Sequence, residues 1–206
     1  MACMPIKRKS RVAVLVPGIF DRGKSMLQMR SALESAGFTA HCINLKANSG
    51  WHGMEHLALQ LRDRVEEVTV ARETCALVGF SMGGIVARYY LQRLGGAERV
   101  HKFIALSSPH FGSFWAHFLP YKGGRQLRIG SEFLSSLNRD TSVLESAAPV
   151  SIWTPYDATI LPQSSSRLPL GKTYQIPVSL HRWVPQNRAV IEIVVAELAE
   201  VLKDDP

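Results

Sequence analysis

The sequence predicts an α/β fold, a mainly parallel sheet of about six strands flanked by helices. Three observations predict it. Short apolar runs of strand length recur along the chain, and stretches with apolar residues at helical spacing separate them. The length of 206 residues suits one domain, and neither an internal repeat nor a low-complexity linker interrupts it.

Taken in order, Val12–Val16 is the first strand, a continuous apolar run that stops at Pro17-Gly18. Ser25–Ser35 reads as a helix, Ala40–Asn44 as a strand and Met54–Val70 as a second helix. The strand Cys75–Val78 and the helix Ile85–Leu94 follow, then the strand Lys102–Leu106. Ser107–Ala148 is irregular, with one helix around Ser131–Leu137. Val150–Trp153 and Thr173–Ile176 are the last strands, and the final helix Val190–Leu202 carries Ile191, Val194, Val195, Leu198, Val201 and Leu202 at helical spacing.

Composition narrows the function classes. Apolar residues make up 46% and charged residues 20%, the balance of a globular protein, which excludes collagen-like, coiled-coil and disordered chains. A chain of this size buries roughly 70% of its unfolded surface, so its core needs no staples. Cys3, Cys42 and Cys75 are too few and too irregular for a disulfide framework or zinc site. Lys and Arg number 24 against 17 Asp and Glu, a net charge of +7. That excess suits nucleic acid, an anionic surface or simple solubility. Apart from Lys7-Arg8-Lys9-Arg11 the basic residues are scattered rather than interleaved with aromatics, so no nucleic-acid partner is expected. The basic N-terminus followed by an apolar run imitates a signal peptide, but the run is too short for one, and a cytoplasmic location is expected. No stretch reaches the ~18 apolar residues of a membrane span. Residues 1–10 are expected to form a flexible N-terminus to a single domain covering 1–206.

The sharpest feature is Gly79-Phe80-Ser81-Met82-Gly83-Gly84, a G-x-S-x-G sequence between an apolar strand and a helix. A turn this tight brings the residues two before and two after Ser81 together, which explains Gly79 and Gly83. It lifts the Ser81 hydroxyl off the sheet edge and puts the Met82 amide at a helix N-terminus, where an oxyanion can be held. A serine needs a base, and the base an orienting acid. In strand–turn–helix sites of this kind the order along the chain is Ser, acid, His. Of seven histidines, His181 alone lies late, in the loop between the last strand and the last helix; His110 and His117 precede any suitable acid. Among the intervening acids, Glu98 comes too early, Glu132 and Glu145 sit in the irregular segment, and Asp140 follows a helix. Asp157 follows the strand Val150–Trp153, which delivers it to the sheet edge that carries Ser81. The catalytic candidates are therefore Ser81, Asp157 and His181. A second oxyanion donor is expected from Pro17-Gly18-Ile19-Phe20, with the Ile19 amide as candidate and Phe20 as rival.

Together these segments resemble the α/β-hydrolase lipase/esterase family, closest to small bacterial lipases without a cap domain, over roughly residues 11–203. Val14–Ile19 resembles the family's strand and oxyanion loop, Leu77–Gly84 its elbow, Ala105–Ser113 a site-lining loop, and Pro155-Tyr156-Asp157 and Val178–His181 its acid and base segments. The chain departs from the pattern at Pro17 and Phe80, where members commonly carry His. The resemblance implies an α/β-hydrolase fold with a minimal cap, cleavage of carboxylic esters through an acyl-enzyme, and no cofactor or metal. His52 and His56, four apart, lack a third ligand in register. An acyltransferase, a thioesterase or a cofactor-free haloperoxidase would share the same triad, and an idle hydrolase-fold binding protein is the non-enzymatic alternative. Residues 107–148 are the place for a lid or acyl pocket, and Phe20, Phe111, Phe114 and Trp115 are the candidate substrate-binding side chains, with a core patch as the alternative for the aromatics. The expected partner is a small-molecule acyl ester met by a monomer, with transient contact at a lipid interface.

Overall fold

The computed structural model describes residues 8–70 and 73–203. Six parallel strands form one sheet: β1 (Arg8–Val16), β2 (Thr39–Cys42), β3 (Glu73–Phe80), β4 (Val100–Leu106), β5 (Val150–Trp153) and β6 (Lys172–Gln175), in the order β2-β1-β3-β4-β5-β6. The helices are α1 (Leu27–Ser35), α2 (Met54–Val68), α3 (Met82–Arg93), α4 (Lys122–Gln126), α5 (Glu132–Arg139) and α6 (Arg188–Lys203). This is the α/β-hydrolase architecture expected from the sequence, with only short helices in place of a cap.

Strand periodicity sorts the core into two layers. Val14 and Val16 of β1, Cys75 and Leu77 of β3, and Phe103 and Ala105 of β4 face α2 and α3. Ala13 and Leu15, Ala76, Val78 and Phe80, and Ile104 and Leu106 face α1 and α6. With both faces covered, the central strands read as unbroken apolar runs rather than alternating ones. The chain leaves β1 for β2 on one side, then crosses to β3 on the other. The crevice at the carboxyl ends of β1 and β3 is thus a topological switch point, where ligands bind in open α/β sheets.

Several boundaries differ from the sequence expectation. Of the expected flexible segment 1–10, residues 1–7 lie outside the described residues. Arg8–Ser10 belong to β1: Lys9 pairs with Thr74, and Ser10 Oγ donates to the Thr74 carbonyl at 3.0 Å. The elbow helix starts at Met82, three residues before the expected Ile85, because Gly83 and Gly84 are helical where close packing demands them. The segment 107–148 contributes to the core. Ala116, Leu127, Leu134, Leu137, Leu144 and Ala147 join the core layer on the α3 side. Arg88 of α3, wholly buried, donates to the Asn138 side chain and the Leu137 carbonyl, each at 3.0 Å, which ties α5 to the elbow helix. Burial, reinforced by nearby Arg93, holds that guanidinium down to about 10.

The stripe on α6 contains a charge the periodicity did not mark. Glu197 is buried and accepts from Lys102 Nζ of β4 at 2.7 Å, from Lys172 Nζ at 3.0 Å and from Tyr174 Oη at 2.6 Å. Burial pushes the Glu197 carboxyl up, but the bonds from Lys102, Tyr174 and Lys172 prevail and hold it at about 2. A carboxylate whose pKa is depressed in the folded state adds stability above its unfolded pKa, near 4.3, and loses it as pH falls through the folded value. Glu197→Gln leaves Lys102 buried without a counter-charge, and a loss of about 3–5 kcal/mol at neutral pH is expected. Urea unfolding checks this: the wild type loses stability between about pH 4.5 and pH 2, and the variant shows a flatter limb in that window. An acid limb unchanged by the substitution would refute the assignment.

Candidate active site

Ser81 stands between β3 and α3 at φ 54°, ψ −124°, a backbone conformation that a non-glycine residue adopts only under constraint. The constraint is close approach. A Cβ on Gly79 would lie 2.6 Å from Gly84 Cα, and one on Gly83 would lie 2.4 Å from the Val16 carbonyl oxygen. Only glycine lets β3, the turn and the end of β1 pack so tightly. The Ser81 amide donates to the Leu106 carbonyl at 2.8 Å, so β4 fixes the turn from the other side. Met82 is the first residue of α3, and its amide has no carbonyl four residues back inside the helix.

Asp157 lies in the loop after β5 and is buried. Its Oδ1 accepts from the Thr159 and Ile160 amides, each at 2.9 Å, and its Oδ2 meets His181 Nδ1 at 2.6 Å. One carboxylate oxygen is thus held by the chain and the other is aimed at the imidazole. A cross-tie sets the spacing of the two loops: Thr154 Oγ1 donates to the Val178 carbonyl at 2.7 Å and accepts from the Val178 amide at 3.2 Å. Thr154 lies three residues before Asp157, and Val178 three before His181. His181 opens a 3-10 turn that runs to Gln186. The Phe80 ring lies against its imidazole, with centroids 4.8 Å apart. His181 Nε2 is buried and has no hydrogen-bond partner in the structure.

Ser81 and His181 line one cavity of about 510 Å³ together with Gly18, Ile19, Phe80, Thr159 and Trp183, and with Lys24, Arg182 and Gln186 at its polar side. That volume falls in the range of small-molecule sites. Asp21 also borders it, but its carboxylate accepts from the Gly23 and Lys24 amides at 2.9 Å and from the Ser25 hydroxyl. The loop after β1 is anchored to the loop after β2, the Phe20 amide donating to the Asn48 carbonyl at 3.4 Å and Asn48 Nδ2 to the Asp21 carbonyl at 2.6 Å. Phe20 thereby spends its amide away from the cavity, whereas Ile19 lies on the cavity wall.

The sequence candidates separate here. Ser81, His181 and Ile19 meet at the cavity, and Asp157 stands behind His181. Phe20, Phe111, Phe114 and Trp115 are exposed side chains outside its lining. Phe114 and Trp115 sit on a 3-10 turn that carries Phe118, pinned beside the acid loop. Trp115 Nε1 donates to the Ala158 carbonyl at 2.7 Å and Ser113 Oγ to the Thr159 carbonyl at 2.9 Å. Sequence inspection did not single out Trp183, Arg182, Lys24 or the tie between Thr154 and Val178; the first two are neighbours of His181 and could have been found by that adjacency. His110, set aside as a base, is fully buried, and burial with Arg88 nearby holds its pKa well below the usual histidine range.

The sequence of the family described as palmitoyl protein thioesterase matches residues 13–149, a span that includes the elbow and ends before Asp157 and His181. No curated protein matches the chain. Among solved structures, lipase B of Aspergillus fumigatus superposes with a TM-score of 0.79 at 17% identity, covering 92% of this chain and 52% of that one. The chain therefore spans about half the length of that lipase. The mature lipase BlEst2 of Bacillus licheniformis gives 0.72 at 17% identity, covering 95% and 93% of the two chains. Polyneuridine aldehyde esterase gives 0.65 at 16%, covering 91% and 98%. At such identities these likenesses speak to the fold. Among the described residues, no helix is long and apolar enough to cross a membrane.

Proposed function

The chain belongs to the palmitoyl protein thioesterase family of α/β-hydrolases, and from that premise we propose that it cleaves acyl esters through a Ser81–His181–Asp157 triad. The observation that carries this reading is the arrangement around His181. Nδ1 is engaged by a buried carboxylate at 2.6 Å while Nε2 is unpartnered in the cavity that Ser81 lines. An imidazole held in that way is ready to accept a proton at Nε2 and has its tautomer fixed from behind.

In the proposed reaction, Ser81 Oγ attacks the acyl carbon as its proton passes to His181 Nε2. The Met82 and Ile19 amides receive the charge on the carbonyl oxygen, and Asp157 stabilises the imidazolium. His181 then protonates the departing oxygen or sulfur, and the acyl group stays on Ser81. Water enters and attacks the acyl carbon as it gives its proton to Nε2. That proton passes to Ser81 Oγ as the Oγ–carbon bond breaks and the acid leaves. His181 Nε2 has no hydrogen-bond partner in the structure. The proposed reaction requires its bond with Ser81 Oγ in the substrate complex, where catalytic hydrogen bonds often tighten.

An acyl thioester is the second reading, and the family match over residues 13–149 favours it. Both readings share one acyl-enzyme, which gives the test. A p-nitrophenyl ester and a thioester of the same acyl group are expected to show equal kcat when deacylation limits, with an initial burst of one leaving group per active site. Hydrolysis of neither substrate would overturn the proposal.

A further inference from the structure

Every exposed Phe, Trp and Tyr side chain among the described residues belongs to a loop at the carboxyl edge of the sheet. Phe20 follows β1, Trp51 follows β2, the cluster of Phe111, Phe114, Trp115 and Phe118 follows β4, Tyr156 follows β5 and Trp183 follows β6. Phe20, Trp51, Phe118 and Tyr156 are 70%, 64%, 68% and 61% exposed. β3, which delivers Ser81, is the exception. Among the described residues, the rest of the surface shows only the aliphatic exceptions Leu27, Leu59 and Val70 among large exposed apolar side chains. Elsewhere on a protein single exposed apolar residues are ordinary; so many large ones gathered at one edge mark an interaction surface.

The same loops carry a net positive charge because acids are scarce in them. Residues 17–26, 43–53, 107–131, 154–164 and 176–187 hold seven Lys and Arg (Arg22, Lys24, Lys46, Lys122, Arg125, Arg128, Arg182) and two acids (Asp21, Asp157), a net +5 of the chain's +7. Asp157 is buried against His181, and Asp21, half-buried at the border of the cavity, accepts from the amides of its own turn. The aromatic cluster is held in place. Phe114 packs on Trp115 and Phe118 with centroids 5.5 Å and 5.7 Å away, its amide donates to the Leu161 carbonyl at 2.8 Å, and Arg128 donates to the Ala116 carbonyl at 3.3 Å.

Aromatic side chains seat at the boundary between headgroups and acyl chains, and basic side chains gain from anionic headgroups beside them. We propose that this edge docks on an anionic lipid surface, presenting the mouth of the cavity to the interface. A second copy is the poorer occupant, since it would oppose loops of the same positive charge. The proposal concerns adsorption and does not depend on turnover, so its test is independent of the triad.

Trp51, Trp115 and Trp183 are three of the four tryptophans and report docking without labels. With vesicles of phosphatidylglycerol and phosphatidylcholine, the protein is expected to co-sediment and its emission to shift to the blue. With phosphatidylcholine alone, or in about 0.5 M NaCl, retention should fall roughly tenfold. The double variant Trp51→Ser/Phe118→Ser should lose retention by a similar factor while still hydrolysing a soluble ester and melting at the wild-type temperature. Three results would overturn the proposal: no retention on the anionic vesicles, equal retention on neutral ones at every salt concentration, or retention unchanged in the double variant. A lipid-free dimer that buries these loops and leaves the vesicles unbound would overturn it as well.

Discussion

Ser81→Ala is expected to lower kcat for a p-nitrophenyl ester by on the order of 10⁶-fold, equivalent to about 8 kcal/mol of transition-state stabilisation. The size follows from the role: without Oγ no acyl-enzyme forms, and the oxyanion donors and cavity retain only their modest contribution over water. The fold should survive. Alanine keeps the Cβ that Ser81 already holds at φ 54°, so the turn is no more strained than before. Far-ultraviolet circular dichroism and the melting temperature check that the loss is chemical. An alanine variant with more than a few per cent of wild-type turnover would place the nucleophile elsewhere.

Asp157→Asn comes next in size, with a loss of about 10⁴ in kcat and little change in KM. The geometry gives the reason. Oδ1 accepts from the Thr159 and Ile160 amides, each at 2.9 Å, and the asparagine carbonyl takes over those bonds because its amide group cannot accept. The NH2 group then points at His181 Nδ1, where Oδ2 now stands at 2.6 Å. Nδ1 must become the acceptor, the ring proton moves to Nε2, and the nitrogen facing Ser81 can no longer take a proton. Steady-state kinetics checks it, and a variant within tenfold of wild type would show that the carboxylate does not set the tautomer.

How much of this was legible in the sequence depends on whether the determining contacts are local. The elbow was readable because Gly79 is demanded by close approach to Gly84 within one short turn, and β3 because it is an apolar run with both faces covered. The crowding at Gly83 comes instead from the distant end of β1. Asp157 and His181 were reached by chain order and strand position, which place residues at one sheet edge without giving a distance. The aromatics of 111–118 are exposed and lie outside the lining of the cavity that Ser81 borders. Aromatic density says that a surface is apolar, while only the bonds to residues 158–161 decide which way the turn faces. Lys102 and Glu197, 95 residues apart, form a buried pair that no local pattern marks. The charge total was visible from the start; the net positive charge of the carboxyl-edge loops required knowing which loops share an edge.

The most direct test of the proposed nucleophile is labelling with a fluorophosphonate followed by peptide mass spectrometry. One phosphonyl group per chain on the peptide that carries Ser81, slowed by a competing acyl ester and lost in Ser81→Ala, is the predicted result. Absence of labelling in the folded wild-type protein, or an adduct on another residue, would contradict it.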